Sequence, residues 1–453
     1  MKNREVPALL DQVHRYAVQY LAEVDHREVF PSEQSIADLS MFDEPLPDLG
    51  SDPTQTLALL HRHGSPATVA QGGGRYFGFV NGGVHPPALA ARWLADAWDQ
   101  NAALYAMSPI SAKLESVCER WLRQLFHLPQ STAVGFVSGT SMSLICGIAA
   151  ARGELCRRQG WDVVGQGLFG APDIRVVVGE QAHGAVFKAL SLLGLGTERV
   201  EFVPVDDQGA MIAHALPPLD EKTLLIVQAG NVNTGAFDPM AVICARAQAS
   251  NTWVHVDGAF GLWAAACAST YPLYQGAEQA DSWSVDAHKT LNVPYDCGIV
   301  LCRHREALLN AVQASGAYLQ MSHNRDGMLY TPDMSRRSRG VDLWAALKTM
   351  GKQGVDSLIE QLCDRARQFA RLLSDAGFRV LNDVVFNQVL IACDDPAETE
   401  RSPPSSLALP TRIATEPLLS AESPVPRCNE PELDSELEPL WILRMPLAVA
   451  EEL

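Results

Sequence analysis

After Ser131 the chain runs through seven short apolar segments, AVGFVSG, IRVVVGE, RVEFVPV, TLLIVQAG, TWVHVDG, SWSVDAH and GIVLCRH, each separated from the next by a longer stretch, mostly of helical spacing. Runs this short and this uniformly apolar predict strands covered on both faces. Their alternation with helices predicts an α/β fold around a mostly parallel sheet. In that architecture a ligand sits off the carboxyl ends of the strands. VVVGEQAH, LLIVQAGN, WVHVDG and WSVDAHK all turn polar at that end.

Around this block the organisation is uneven. Residues 1–70 predict an N-terminal helical segment with a Pro/Asp-rich connection, FDEPLPDLGSDP, and little core of its own. Such a segment is expected to wrap a second subunit. Residues 71–340 form the large domain. Residues 341–395 form a small, incomplete C-terminal α+β domain, with two helices over 340–375 and two strands in FRVLNDVVFNQVLIAC. From 396 to 453 the chain is dense in Pro, Ser and Glu without either periodicity, which predicts disorder.

Charge and composition narrow the partners. A net charge of -18 argues against nucleic acid or an anionic membrane, which recruit Lys and Arg. Half of that excess is local, with 13 acidic and 4 basic residues from Asp394 onward. The ten cysteines contain no C-x-x-C pair, so neither a zinc site nor any other metal is expected. No apolar run approaches the roughly 20 residues that span a bilayer, and the N-terminus lacks a signal-peptide core. A cytoplasmic, soluble protein is the expectation.

The chemistry concentrates between Trp253 and Cys297. VHVD ends at Asp257, and WSVDAHK is read as a strand ending at Lys289, with His288 beside it. A lysine at the end of an apolar strand is costly without a partner. Condensed with an aldehyde as a Schiff base it becomes a covalent catalyst. A carboxylate against a pyridine nitrogen keeps that ring protonated and able to accept electrons. Together the two residues point to pyridoxal 5′-phosphate. Asp257, next to that cation, is expected to have its pKa lowered. His183, after the strand VVVGE, either caps the next helix or stacks on the cofactor ring and donates a proton. Ser138, Gly139, Thr140 and Ser141 open an apolar helix, where free N–H groups and the helix dipole make a phosphate seat. Over 322–340 the Gly-rich, charged stretch reads as a mobile lid carrying Tyr330.

RYFGFVNGG, SPISAKLESVCERW, AHGAVFKAL, GNVNTGAFDP, HVDGAFGLWA and DAHKTLNVPYDCG occur in one order between residues 70 and 393. In this the chain resembles the group II pyridoxal phosphate-dependent decarboxylases, which include the aromatic amino acid, glutamate and cysteine-sulfinate enzymes. The resemblance implies the aspartate-aminotransferase-type fold (fold type I), a homodimer with active sites at the subunit interface, and α-decarboxylation of an L-amino acid. It implies that Lys289 carries the cofactor, Asp257 faces the pyridine nitrogen and His183 stacks on the ring. Thr140, Ser141 and His288, with Gly139, would bind phosphate, and Ala259 would lie under the ring. Tyr330 or His183 would return the proton.

Two departures stand out. Asn231 and Val232 replace a pair of threonines in the aromatic decarboxylase pattern, and the acidic tail replaces the further strands of the small domain. Transamination, aldol cleavage and a cofactor-binding relic are the alternatives. Phe79, Trp98 and Tyr105 favour an aromatic or other apolar substrate.

Overall fold

A computed structural model of the chain describes residues 6–312, 324–392 and 441–444. Two compact units divide it: Met1–Asn81 with Asp375–Arg379 and Ile391–Leu453, and Gly82–Ser374 with Val380–Leu390. In the first unit α1 (Val6–Glu23) buries none of its side chains. Leu10, Val18 and Leu21 stand exposed along it. Gln12 Nε2 donates to the Thr54 carbonyl at 3.0 Å, and the rings of Tyr16 and His61 stack 3.8 Å apart.

The second unit carries the sheet. Its strands are β1 (Ala133–Val137), β2 (Arg175–Gly179), β3 (Val200–Val203), β4 (Thr223–Gln228), β5 (Trp253–Asp257), β6 (Ser282–Asp286) and β7 (Gly298–Cys302). All seven coincide with the apolar runs of the sequence. They are ordered β1-β7-β6-β5-β4-β2-β3. β7 alone runs antiparallel, between β1 and β6, so β1, β2, β4, β5 and β6 all end on one side. β1, β5, β6 and β7 are buried along their whole length, as a sheet covered on both faces requires.

Among the covering helices are α2 (Pro86–Trp98), α3 (Pro109–Leu125), α4 (Thr140–Arg158), α5 (Gly184–Leu192), α6 (Met240–Ala249), α7 (Arg305–Val312) and α8 (Arg339–Asp375). Small residues let α4 lie close to the sheet. A Cβ on Gly147 would stand 2.4 Å from His255 Cε1 of β5. The His255 ring fills that space, bonded to Ser282 Oγ at 2.7 Å and Ser284 Oγ at 3.1 Å. α8 breaks at Gly351 (φ 61°), giving the two helices expected over 340–375.

A second sheet of three strands, ordered β10, β9, β8, is made by Arg379–Val380 (β8), Gln388–Ala392 (β9) and Trp441–Arg444 (β10). The expectation that nothing beyond residue 396 forms a regular element is corrected at β10. An edge strand's unpaired N–H and C=O groups take up an extended segment whatever its flanks. The rest of the expected tail lies outside the described residues. Among the described residues no helix is long and apolar enough to cross a membrane.

Candidate active site

β5 and β6 lie side by side in parallel, with Asp257 opposite Ser284, and each strand finishes on a buried carboxylate, Asp257 or Asp286. The second strand ends three residues earlier than the sequence pattern implies. Lys289 therefore sits in the turn after β6, not on the strand. From there Nζ reaches back to Asp286 Oδ2 at 3.2 Å, with the lysine side chain 22% exposed. Close packing fixes this turn. A Cβ on Gly82 would lie 2.4 Å from the carbonyl oxygens of both His288 and Lys289. Asn292, at φ 55°, accepts the Gly83 N–H at 2.7 Å through Oδ1 and the His85 N–H at 2.7 Å through its carbonyl.

Asp257 Oδ1 accepts the N–H of Ala259 at 3.2 Å. Burial raises the pKa of this carboxyl above its ordinary value, while His183 and Lys289 pull it down. Desolvation is the larger effect. The lowering expected from the sequence belongs to the carboxylate beside a pyridinium nitrogen. Asp257 and His183 line one cleft together with Gly179, Gln181 and Gln228. His183 also caps α5, its Nδ1 accepting the Ala185 N–H at 3.1 Å. The two roles weighed for His183 are compatible, because the cap is made through Nδ1.

The start of α4 is the third element. Gly139 precedes it with extended backbone and no side-chain cap, and Ser141 is exposed in the first turn. Thr140 is buried, and its hydroxyl donates to Asp286 Oδ2 at 2.6 Å. His288 Nε2 lies 3.5 Å from the same oxygen, while its Nδ1 accepts the Cys297 N–H at 3.0 Å. Burial lowers the His288 pKa, partly offset by Asp286, so the ring is neutral at pH 7 with its one proton on Nε2.

The structure does not bring Tyr330 to this group. The lid expectation is corrected: Tyr330 is 3% exposed and packs in the core with Val137, Leu144 and Leu308. Its hydroxyl accepts from Arg305 Nη2. The ring lies under two guanidiniums, Arg325 at 4.0 Å and Arg305 at 4.8 Å. In this structure Tyr330 is a core residue.

Asn231, one of the two departures, has a local task. Its Oδ1 accepts the N–H groups of Asn233 and Thr234 at 2.9 and 3.3 Å, and its Nδ2 donates to Gln181 Oε1 at 3.1 Å. Two further residues escaped the sequence reading as site members. Asp286 carried a signal, since WSVD ends as WVHVD does. Asp238 lines the His183–Asp257 cleft, accepts the Met211 and Gln228 N–H groups at 2.7 Å each, and is pushed by burial up to about 6.

A seat at a helix start, a lysine in the turn after a strand and a buried carboxylate off the carboxyl edge of a mostly parallel sheet define a pyridoxal phosphate fold of type I. Residues 34–392 match the family model described as the pyridoxal-dependent decarboxylase conserved domain, and the chain belongs to that family. The acidic amino acid decarboxylase GADL1 of Xenopus tropicalis is 27% identical over 322 residues, covering 68% of this chain and 62% of that one. The aromatic-L-amino-acid decarboxylase of Sus scrofa is 25% identical over 402 residues, covering 83% and 81%. The crystal structure of Oryza sativa TDC with PLP and tryptamine superposes with a TM-score of 0.79 at 22% identity, over 88% of this chain and 85% of that one. The match spans 62% and 59% of the length of the first two curated relatives.

The cofactor is pyridoxal 5′-phosphate, and the residues fit it. Lys289 supplies an amine, Asp257 a buried carboxylate and α4 a helix start with Ser141 exposed. One feature runs against a simple phosphate seat. The Thr140 hydroxyl already donates to Asp286, and His288 Nε2 lies 3.5 Å from the same carboxylate oxygen.

Proposed function

We propose that the chain catalyses α-decarboxylation of an L-amino acid. The observation that carries this reading is that Asp257 ends β5 while Lys289 lies in the turn after the neighbouring parallel strand β6. Bound pyridoxal phosphate supplies the electron sink for the bond-breaking step. Lys289 would be the amine that holds the cofactor's aldehyde carbon. Asp257 would keep a proton on the pyridine nitrogen, a role its buried position strengthens. His183 and Ala259 would hold the ring, and Gly139, Thr140, Ser141 and His288 would take the phosphate.

Reprotonation of the substrate carbon falls to His183, because Tyr330 is enclosed in the core. The working unit is a homodimer. The exposed apolar residues of α1, Leu10, Val18 and Leu21, support it. Eight free buried cysteines among the described residues support a reducing, cytoplasmic setting.

The test is carbon dioxide release from the full chain with added pyridoxal phosphate across a panel of L-amino acids, acidic and aromatic ones included, with keto-acid formation measured in parallel. Carbon dioxide without keto acid is expected. Keto acid, or an aldehyde from aldol cleavage, in place of carbon dioxide would reject the decarboxylase reading.

A further inference from the structure

Asp286 belongs to no role in the scheme above, yet it is the most heavily engaged side chain of the site. Its backbone is pinned on both sides. Its N–H donates to the Ala259 carbonyl at 2.8 Å, and its carbonyl accepts Trp263 Nε1 at 2.9 Å. The carboxylate therefore stays where β6 puts it. Oδ2 gathers the Thr140 hydroxyl, His288 Nε2 and Lys289 Nζ. Oδ1 is buried and has no hydrogen-bond partner. It faces the start of α4, since a Cβ on Gly139 would lie 3.7 Å from it. The side chain is 2% exposed, and an unpaired carboxylate oxygen at that depth is costly.

The donor count makes the consequence specific. A threonine hydroxyl has one proton to give. A neutral histidine whose Nδ1 accepts a backbone N–H has one as well, on Nε2. The Thr140 proton is given to Asp286 Oδ2 at 2.6 Å, and His288 Nε2 stands 3.5 Å from the same oxygen, so a phosphate must draw the one away from the carboxylate and compete with it for the other. A phosphate arriving at the start of α4 would also stand beside a fixed like charge.

Resting on the decarboxylase-type reading of the site, we propose that Asp286 competes with the cofactor's phosphate group for Thr140 and His288. It is a positioning residue that keeps the phosphate seat assembled in the empty enzyme and weakens the hold on the phosphate in the loaded one. Lys289 is held by the same carboxylate until the cofactor arrives.

Binding, not turnover, tests this. The full chain is titrated with 4′-deoxypyridoxine 5′-phosphate, which lacks the aldehyde and so bypasses Lys289 chemistry, and with unphosphorylated 4′-deoxypyridoxine. Asp286→Asn and Asp286→Ala, checked for folding by thermal unfolding, should bind the phosphorylated compound about tenfold tighter or more than wild type, since a like charge is removed and the Thr140 hydroxyl is released. Asp286→Ala adds no donor of any kind, so a gain there separates lost competition from a new contact. Affinity for the unphosphorylated compound should change by less than about twofold. In the wild-type chain, which needs no variant, the phosphate group should add no more than about tenfold in affinity.

Equal or weaker binding of the phosphorylated compound by both variants, or a wild-type phosphate contribution above about a hundredfold, would overturn the proposal and leave the cofactor assignment standing. Failure of wild type to bind either compound would overturn both.

Discussion

Lys289 Nζ and Asp286 Oδ2 are 3.2 Å apart, one on the turn after β6 and the other on its last residue. The pair explains how a lysine can sit against a buried sheet edge before any aldehyde reaches it. Its charge is matched by a carboxylate that also holds the first residue of α4. The same contact joins two of the three elements that the chemistry requires, the amine and the phosphate seat. Asp257 supplies the third from the neighbouring strand.

Replacing Asp257 by Ala should separate binding from chemistry. The cofactor should still bind, because Lys289 and the α4 start are untouched, and kcat should fall by about a hundredfold or more, since a preorganised charge at the reacting ring is worth about 2.7–4 kcal/mol. Absorbance of the bound cofactor and steady-state rates read the two effects. Full activity in Asp257→Ala would refute its place at the pyridine nitrogen.

Tyr330→Phe should behave as a core substitution. The variant loses the hydrogen bond from Arg305 and keeps the ring beneath both guanidiniums. A loss of about 0.5–1.5 kcal/mol in unfolding free energy is expected, with kcat within about twofold of wild type because no reacting group is touched. A collapse of kcat at unchanged stability would restore Tyr330 to the catalytic set.

How much of this was legible follows from which signals are local. The seven large-sheet strands show in the sequence because each is a compact apolar run bounded by polar residues or glycine. Asp257 and Lys289 show because a lone charge at the end of such a run is conspicuous. Tyr330 misled because a tyrosine between Gly, Arg and Pro looks like a loop residue. Its burial depends on Arg305 and Arg325, which are remote or unremarkable in sequence. Asp286 was visible in the sequence, closing WSVD as Asp257 closes WVHVD. Its importance lies in what it touches, and Thr140 is 146 positions away. β10 was hidden because WILR is a short run in a Pro- and Glu-rich stretch, and only pairing with β9 makes it a strand.

The fit of His255 against Gly147 gives a packing test. Gly147→Ala places a methyl 2.4 Å from a ring that two serines hold, so a loss of about 1–3 kcal/mol is expected. Adding His255→Ala should recover part of it, making the double variant less destabilised than the sum of the single ones. Urea denaturation of the four proteins decides. Strict additivity would mean that the two residues do not press on one another.

His255 also sets an acid limit. Burial lowers its pKa from 6.5 to about 3, so between those values the unfolded chain binds a proton that the folded chain refuses. The contribution is complete above pH 6.5 and is lost as pH falls toward 3, by about 1.4 kcal/mol per unit. Asp238 works in the opposite sense. Its carboxyl is raised from 3.8 to about 6, so its contribution is present at low pH and is lost as pH rises through about 6. The comparison of wild type with His255→Gln cancels the Asp238 effect, and the variant should show the shallower loss of stability below pH 6.5. Parallel pH profiles for the two proteins would exclude the assignment.

The central claim is that Lys289 is the amine that receives the cofactor. Borohydride reduction of the chain loaded with pyridoxal phosphate, followed by digestion and peptide mass spectrometry, tests it directly. The account predicts one pyridoxyl phosphate adduct, on the peptide containing Lys289, and none in Lys289→Ala. An adduct on another lysine, or an unmodified Lys289 in protein that has taken up cofactor, would contradict it.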